Sequence, residues 1–346
     1  MPKDINIGFI GSGFVGQVAH LHNYNEIDGV NISALAELRQ GLGRKVAQKY
    51  NIKNLYKNHI ELLENEKKLD AIILIVRRHQ TSTLAEEVLK RNINLFTEKP
   101  MAPTYAQGKK NLNLAIKNNL HYVIGNMRRH DDGVQYAKKI LNEYILNNEI
   151  GSLISYRSYC YAGGDYCNID GNIKTTEENL IENNLPISPS WVAKSDEKKF
   201  EKFQNYFVHN INIINFFFED AYLVSNKISK NNGGSIFFDH GDFFGQFDYA
   251  YLESDLWEEG IDFHFTHGSI KVSFPPAFLK NQPAKVIIYD GKKNKFIQPY
   301  FEWNWSFKNQ SKNFIDSIIN NTANVCDARN SIKDLEVIEK IWKLNQ

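Results

Sequence analysis

A run of β-branched and apolar residues at 5–10 ends in Gly11-Ser12-Gly13-Phe14-Val15-Gly16 and passes at once into a segment with helical spacing. Glycines at these intervals between a strand and a helix leave few folds open. The first permits a tight turn, the second lets phosphates approach the main chain, and the third lets the helix lie against the strand. The same rhythm continues, with apolar runs at 30–36, 71–76, 94–97 and 122–124 separated by segments such as 83–90, where Leu84, Val88 and Leu89 share a side. Strands alternating with helices predict a doubly wound parallel sheet of Rossmann type over residues 1–125.

Free N–H groups at the start of a helix favour an anion, so the turn reads as a pyrophosphate cradle formed by Gly11, Gly13, Phe14, Val15 and Gly16. Glu37 stands at the end of the second run, about 20 residues past the last glycine, where a carboxylate accepts both ribose hydroxyls of NAD. Its charge repels a 2′-phosphate. Arg39, two residues on, offers that phosphate a partner, so NAD is the expected cofactor and NADP is possible. Val76 and Arg77, at the end of the third run, belong to the same sheet edge and join the cofactor-binding set.

After Gly151 the texture changes. Strand-like runs at 153–161, 222–228, 235–238, 243–252, 261–265, 270–274 and 286–289 predict a second α/β domain, 126–346, with an open, mainly antiparallel sheet. A helix at about 203–218 interrupts the strands, and helices at 307–319 and 331–344 end the chain. The polar connection 163–202 is long enough to be a binding loop or lid. An open sheet face calls for cover, so a homodimer or homotetramer is expected.

Composition narrows the function. The chain has 41 basic and 40 acidic side chains and a net charge of +1, which gives no electrostatic footprint for nucleic acid or an anionic membrane. No apolar stretch approaches membrane-spanning length, and the N-terminus lacks the features of a secretory signal, so a cytoplasmic protein is expected. Three cysteines, Cys160, Cys167 and Cys326, form no CxxC pair and suggest neither disulfides nor zinc. His264, His267, Asp262, Asp239 and His240 fail the ligand-geometry test along a strand, so no metal is expected.

The fingerprint, the segment Thr97-Glu98-Lys99-Pro100-Met101, the helix bearing His209, and the stretch Cys326-Asp327-Ala328-Arg329-Asn330-Ser331 followed by Asp334-Leu335-Glu336 together resemble the Gfo/Idh/MocA family of oxidoreductases. The resemblance implies a nicotinamide-dependent dehydrogenase or reductase acting on sugars, inositols, nucleotide-linked sugars or related polyols. It implies that Glu98 and Lys99 bind the cofactor, and it places Lys99 beside the reacting oxygen and the nicotinamide ribose, where an ammonium stabilises alkoxide character. Asn205-Tyr206-Phe207-Val208-His209-Asn210-Ile211-Asn212 looks like the family's Asp-x-Gly-x-His-x-x-Asp helix, with only the histidine retained.

His209 is the expected general acid/base because its unperturbed pKa lies nearest neutrality, and Asn205 is a substrate-side candidate. Thr81 stands where the family has a histidine. Arginine pairs at 77–78 and 128–129 lie just past strand ends in a chain that prefers lysine. Their forked guanidinium groups suggest an anionic sugar, a nucleotide-sugar or uronate, with Arg128 as a contact. Tyr161 and Asp165 supply the aromatic face and polar group of a carbohydrate site. The alternative is a dinucleotide-binding regulator or scaffold that kept the fold and lost turnover.

Overall fold

The computed structural model describes residues 4–164, 170–178, 185–218, 222–229 and 232–344. Asp165 and Cys167 lie outside the described residues. The chain divides into two compact units, each built from three stretches of sequence. The first comprises Met1–Asn126, Asp170–Asn205 and Phe307–Leu335; the second comprises Met127–Ile169, Tyr206–Ser306 and Glu336–Gln346.

In the first unit β1 (Ile5–Ile10), β2 (Val30–Ala36), β3 (Asn54–Tyr56), β4 (Ala71–Leu74), β5 (Asn94–Glu98) and β6 (Tyr122–Gly125) form one parallel sheet in the order β3-β2-β1-β4-β5-β6. This is the doubly wound sheet the sequence predicts. Strand order reverses between β1 and β4, which opens the crevice where such sheets bind ligands. A π-helical turn, Gly16–Leu21, runs into α1 (His22–Asn25); α2 (Gln40–Lys49), α3 (His59–Asn65), α4 (Arg78–Lys90) and α5 (Tyr105–Lys117) follow the later strands.

Alternation along the strands feeds two cores, as a sheet covered on both faces requires. Ile10, Ile72, Leu74 and Leu95 pack with Val88, Leu89 and Leu112 on one face, while Ile7, Phe9, Ile73 and Phe96 pack with Tyr24 and Val46 on the other. The apolar run expected as a strand at 71–76 forms β4 only as far as Leu74, and α4 begins at Arg78, well before the helical spacing at 83–90 becomes readable. The three-residue β3 is too short to show a period.

The second unit contains α6 (Asp132–Asn147), β7 (Leu153–Ala162), much of α7 (Glu197–Phe217), and β8 (Tyr222–Ile228), β9 (Gly233–Asp239), β10 (Phe244–Tyr251), β11 (Trp257–Phe265), β12 (Gly268–Ser273), β13 (Lys285–Asp290) and β14 (Lys295–Ile297). Its sheet runs β14-β13-β12-β11-β7-β10-β9-β8, antiparallel except for the parallel pair β7 and β10. α7 covers one face: Phe207 packs on Phe247 and Tyr249, and Phe218, just past its end, stacks on Tyr156. Finally α8 (Ser306–Asn320) and α9 (Ala328–Lys343) return to the first unit, where Phe314, Ile315, Ile332 and Leu335 join its cores.

The long polar connection behaves differently from a solvated loop over 170–178, which is stitched to the first unit. Gln17 bonds both main-chain groups of Ile173, accepting from its N–H at 2.7 Å and donating to its carbonyl at 3.2 Å. The same amide donates to the Ser12 carbonyl at 2.9 Å. Further along, Glu177 accepts from the N–H groups of Gly41 and Leu42 at 2.9 and 2.8 Å, capping α2.

Candidate functional site

The glycine turn needs its glycines. Gly11 has φ +90°, and a Cβ there would lie 2.2 Å from the Ile75 carbonyl oxygen, so any side chain would drive β1 and β4 apart. At Gly13 the space is open instead, with Arg39 Nη2 the nearest atom to a Cβ at 4.0 Å. A Cβ on Gly16 would meet the Gly11 carbonyl at 3.3 Å, which shows how closely the helix approaches the turn.

Glu37 is almost fully buried at the end of β2, and its carboxylate is held by Ser12 and Arg39. It accepts from Ser12 N and Oγ at 2.9 and 2.8 Å, and from Arg39 N, Nε and Nη2 at 3.1, 2.8 and 3.0 Å. Burial by itself would raise this carboxyl's pKa, but the hydrogen bonds from Arg39 and Ser12 outweigh it and hold the group below the usual range. The turn and the ribose-recognition corner are thereby one bonded unit, and Arg39 is engaged on Glu37.

These residues line a cavity of about 550 Å³. Gly11, Gly13, Phe14, Val15, Gly16, Glu37, Arg39, Val76 and Arg77 all border it, so the structure gathers this part of the expected site in one place. The volume falls in the range of small-molecule sites, about 300–1,000 Å³. The Arg77 guanidinium is exposed at its edge with no side-chain partner among the described residues. Residues not expected at the site also line it, among them Leu38, Asn58, His59, Gln80, Leu84 and Leu185. Asn58 and His59 are brought in by the cap of α3, where Asn58 accepts from Glu61 N, a signal visible only as an Asn ahead of an apolar run. An open main-chain cradle at a helix start, beside a buried anionic carboxylate, fits a dinucleotide.

Glu98 and Lys99 stand at the end of β5, outside that lining. The Lys99 ammonium donates to the Asn205 carbonyl at 2.9 Å and approaches its side-chain oxygen at 3.4 Å, so the structure brings Lys99 and Asn205 together. Glu98 accepts from the Lys99 N–H at 3.1 Å and meets His20 Nε2 at 2.8 Å. His20 is completely buried.

The second unit holds the other candidates. His209 is half-buried on α7. Arg128 requires a correction: it is 3% exposed, ion-paired through Nη2 with the equally buried Glu259, bonded through Nη1 to the Pro275 carbonyl at 2.8 Å, and 5.0 Å from the Phe274 ring. A guanidinium so enclosed is a core ion pair, not a substrate contact. Arg129 is equally buried and donates through Nε to Asn212 Oδ1 at 2.7 Å, which accounts for one of the departures in the histidine helix.

Tyr161 also departs from expectation. It alternates with buried Cys160 and Ala162, and its hydroxyl accepts from Arg157 at 2.9 Å. It therefore lies on the sheet face opposite α7 and His209. Among the described residues no cluster of three or more metal-type side chains occurs, and no helix is long and apolar enough to cross a membrane.

Fold and cavity together define a doubly wound domain with a dinucleotide-type cradle at its glycine turn. Residues 5–126 match the Gfo/Idh/MocA family model described as oxidoreductase family, NAD-binding Rossmann fold. Inositol 2-dehydrogenase of Salmonella typhimurium is 30% identical over 148 residues, 42% of this chain and 41% of the relative. D-apiose dehydrogenase of Paraburkholderia graminis is 24% identical over 149 residues, 43% of this chain and 39% of the relative. The matched segments thus span about two fifths of these relatives' lengths.

Solved structures extend the likeness in fold to the whole chain. A putative NADPH-dependent oxidoreductase from Desulfitobacterium hafniense superimposes with a TM-score of 0.79 at 13% identity, covering 99% of this chain and 96% of the other. An oxidoreductase from Agrobacterium radiobacter, solved with NAD+, L-tartaric acid and magnesium, gives 0.75 at 14% identity, covering 99% and 96%.

Proposed function

We propose that this protein is a nicotinamide-dependent oxidoreductase, with NAD preferred over NADP, that interconverts a hydroxyl and a carbonyl on a polyol or sugar derivative. One observation supports this most: the glycine turn is bonded through Ser12 to a buried Glu37 carboxylate, which suits ribose hydroxyls and repels a 2′-phosphate. The relatives named for inositol and apiose oxidation point to the same substrate class. The nicotinamide, when bound, accepts or returns a hydride.

Gly11, Gly13 and Gly16 admit the pyrophosphate, Glu37 takes the ribose hydroxyls in exchange for the Arg39 guanidinium, and Arg77 is positioned to meet a phosphate. Lys99, oriented by the Asn205 carbonyl, stabilises negative charge developing on the substrate oxygen, and His209 exchanges the proton. With Arg128 and Arg129 engaged internally, a neutral polyol or sugar is favoured over an anionic one. Phe237 and Phe244, exposed on the sheet face that also bears Tyr161, support a homodimer or homotetramer formed through that face.

The test is incubation with NAD and a panel of inositols, pentoses and nucleotide-linked sugars, following absorbance of the reduced nicotinamide. Turnover that disappears in Lys99→Met while NADH still binds is the expected result. NADH binding without turnover of any panel member would instead establish the regulator or scaffold.

A further inference from the structure

His20 lies on the π-helical turn Gly16–Leu21, a geometry frequent at functional sites, and it is 0% exposed. Its ring sits between Phe96, 5.2 Å away, and Phe307, 5.9 Å away. A leucine or phenylalanine would fill that space without burying polar atoms. Its Nδ1 meets no hydrogen-bond partner among the described residues, so the imidazole's polar contact is concentrated on Glu98, at 2.8 Å through Nε2. A carboxylate only accepts, so Nε2 carries the hydrogen.

Glu98 is held from two further directions. Its other oxygen accepts the Lys99 N–H at 3.1 Å. Across the β5–β6 ladder its partner is Gly125, where a Cβ would lie 2.9 Å from Oε1 and 3.1 Å from Oε2. The glycine therefore leaves a notch that the carboxylate occupies. The arrangement seats a carboxylate at the C-terminal edge of the parallel sheet, with one oxygen on a buried imidazole and the other on the main chain of Lys99.

We infer that His20 is a positioning residue: through the Glu98 carboxylate it fixes the backbone from which Lys99 reaches the reacting oxygen. The inference rests on the role proposed for Lys99 in turnover. A small displacement of a catalytic group is costly, about a hundredfold in rate for an error near 1 Å. Rigidity at the strand end is what a buried, aromatic-flanked imidazole supplies and a solvated one does not.

The experiment uses the full chain and the variants His20→Leu, which keeps the space filled, and His20→Gln, whose side-chain amide places an N–H near the position of Nε2. With selectively 15N-lysine-labelled protein, the Lys99 backbone amide, identified by its loss in Lys99→Met, should move in His20→Leu and stay in place in His20→Gln. Kinetically, His20→Leu should lower kcat by about tenfold to a hundredfold with NADH affinity and substrate KM unchanged. His20→Gln should restore it, and His20→Leu should add nothing in a Glu98→Ala background. An unmoved Lys99 amide, an additive double variant, or a loss of NADH affinity in step with kcat would overturn the inference. Should no polyol be turned over by the unaltered protein, the proposed reaction fails, while the amide measurement still decides whether His20 acts through Glu98.

Discussion

Replacing Glu37 by Gln keeps the volume at the end of β2 and removes the charge. Two donors from Ser12 and three from Arg39 converge on this carboxylate, and the guanidinium contacts are charge-assisted. Gln offers one carbonyl oxygen and presents an NH2 where the second oxygen faced donors, so Arg39 loses its counter-charge and swings free. Losing a hydrogen bond to a charged group costs about 1.5–3 kcal/mol, which corresponds to about a tenfold to hundredfold weakening of NADH binding.

NADPH should respond in the opposite sense, because the released Arg39 can meet a 2′-phosphate that Glu37 no longer repels. Fluorescence titration with both reduced coenzymes gives the ratio of the two Kd values, which removes any common loss from loosening the Ser12 turn. The unaltered protein should hold that ratio steady across neutral pH, since hydrogen bonding keeps the Glu37 carboxyl ionised there. Equal changes for both coenzymes in Glu37→Gln would refute the reasoning and reduce Glu37 to a structural tie.

Other consequences concern the second unit. Arg128→Met leaves Glu259 buried without its cation, so urea unfolding should show a loss of about 3–5 kcal/mol, whereas Arg128→Met with Glu259→Leu should recover much of it; a raised substrate KM with unchanged stability would return Arg128 to the substrate site. His130 is pushed down from 6.5 to about 3 by burial and by the neighbouring Arg129. The unfolded chain therefore takes up a proton that the native chain refuses. Stability contributed by this group is complete above the ordinary value and declines as pH falls toward 3, by at most about 1.4 kcal/mol per pH unit. Urea midpoints measured over that range should flatten in His130→Phe, and an unaltered acid slope would show that other groups set it.

Much of the first unit was legible because local chemistry dictates it. Gly11 is required by its own backbone angle and by the Ile75 carbonyl it faces, and that requirement is visible as a glycine between a strand and a helix. Alternation over β1 and β2 likewise marks two buried faces, and Glu37 follows at a distance that one βαβ unit fixes. The mainly antiparallel second sheet was readable from its runs of aromatic and β-branched residues, while the three-residue strands β3 and β14 and the early start of α4 left no periodic trace.

The partners of buried charges were decided only by the fold. Arg128 looks in sequence like a ligand-binding fork at a strand end, yet it meets Glu259, and Arg129 meets Asn212, across long separations that no local pattern encodes. Tyr161 turned to the far face because pairing register, not composition, sets which side a strand residue takes. His20 joined Glu98, and 170–178 came to lie along Gln17 and α2, for the same reason. A backbone requirement is satisfied within a few residues and so is written locally, whereas desolvating a charge or an imidazole demands a partner that only packing of distant segments can deliver.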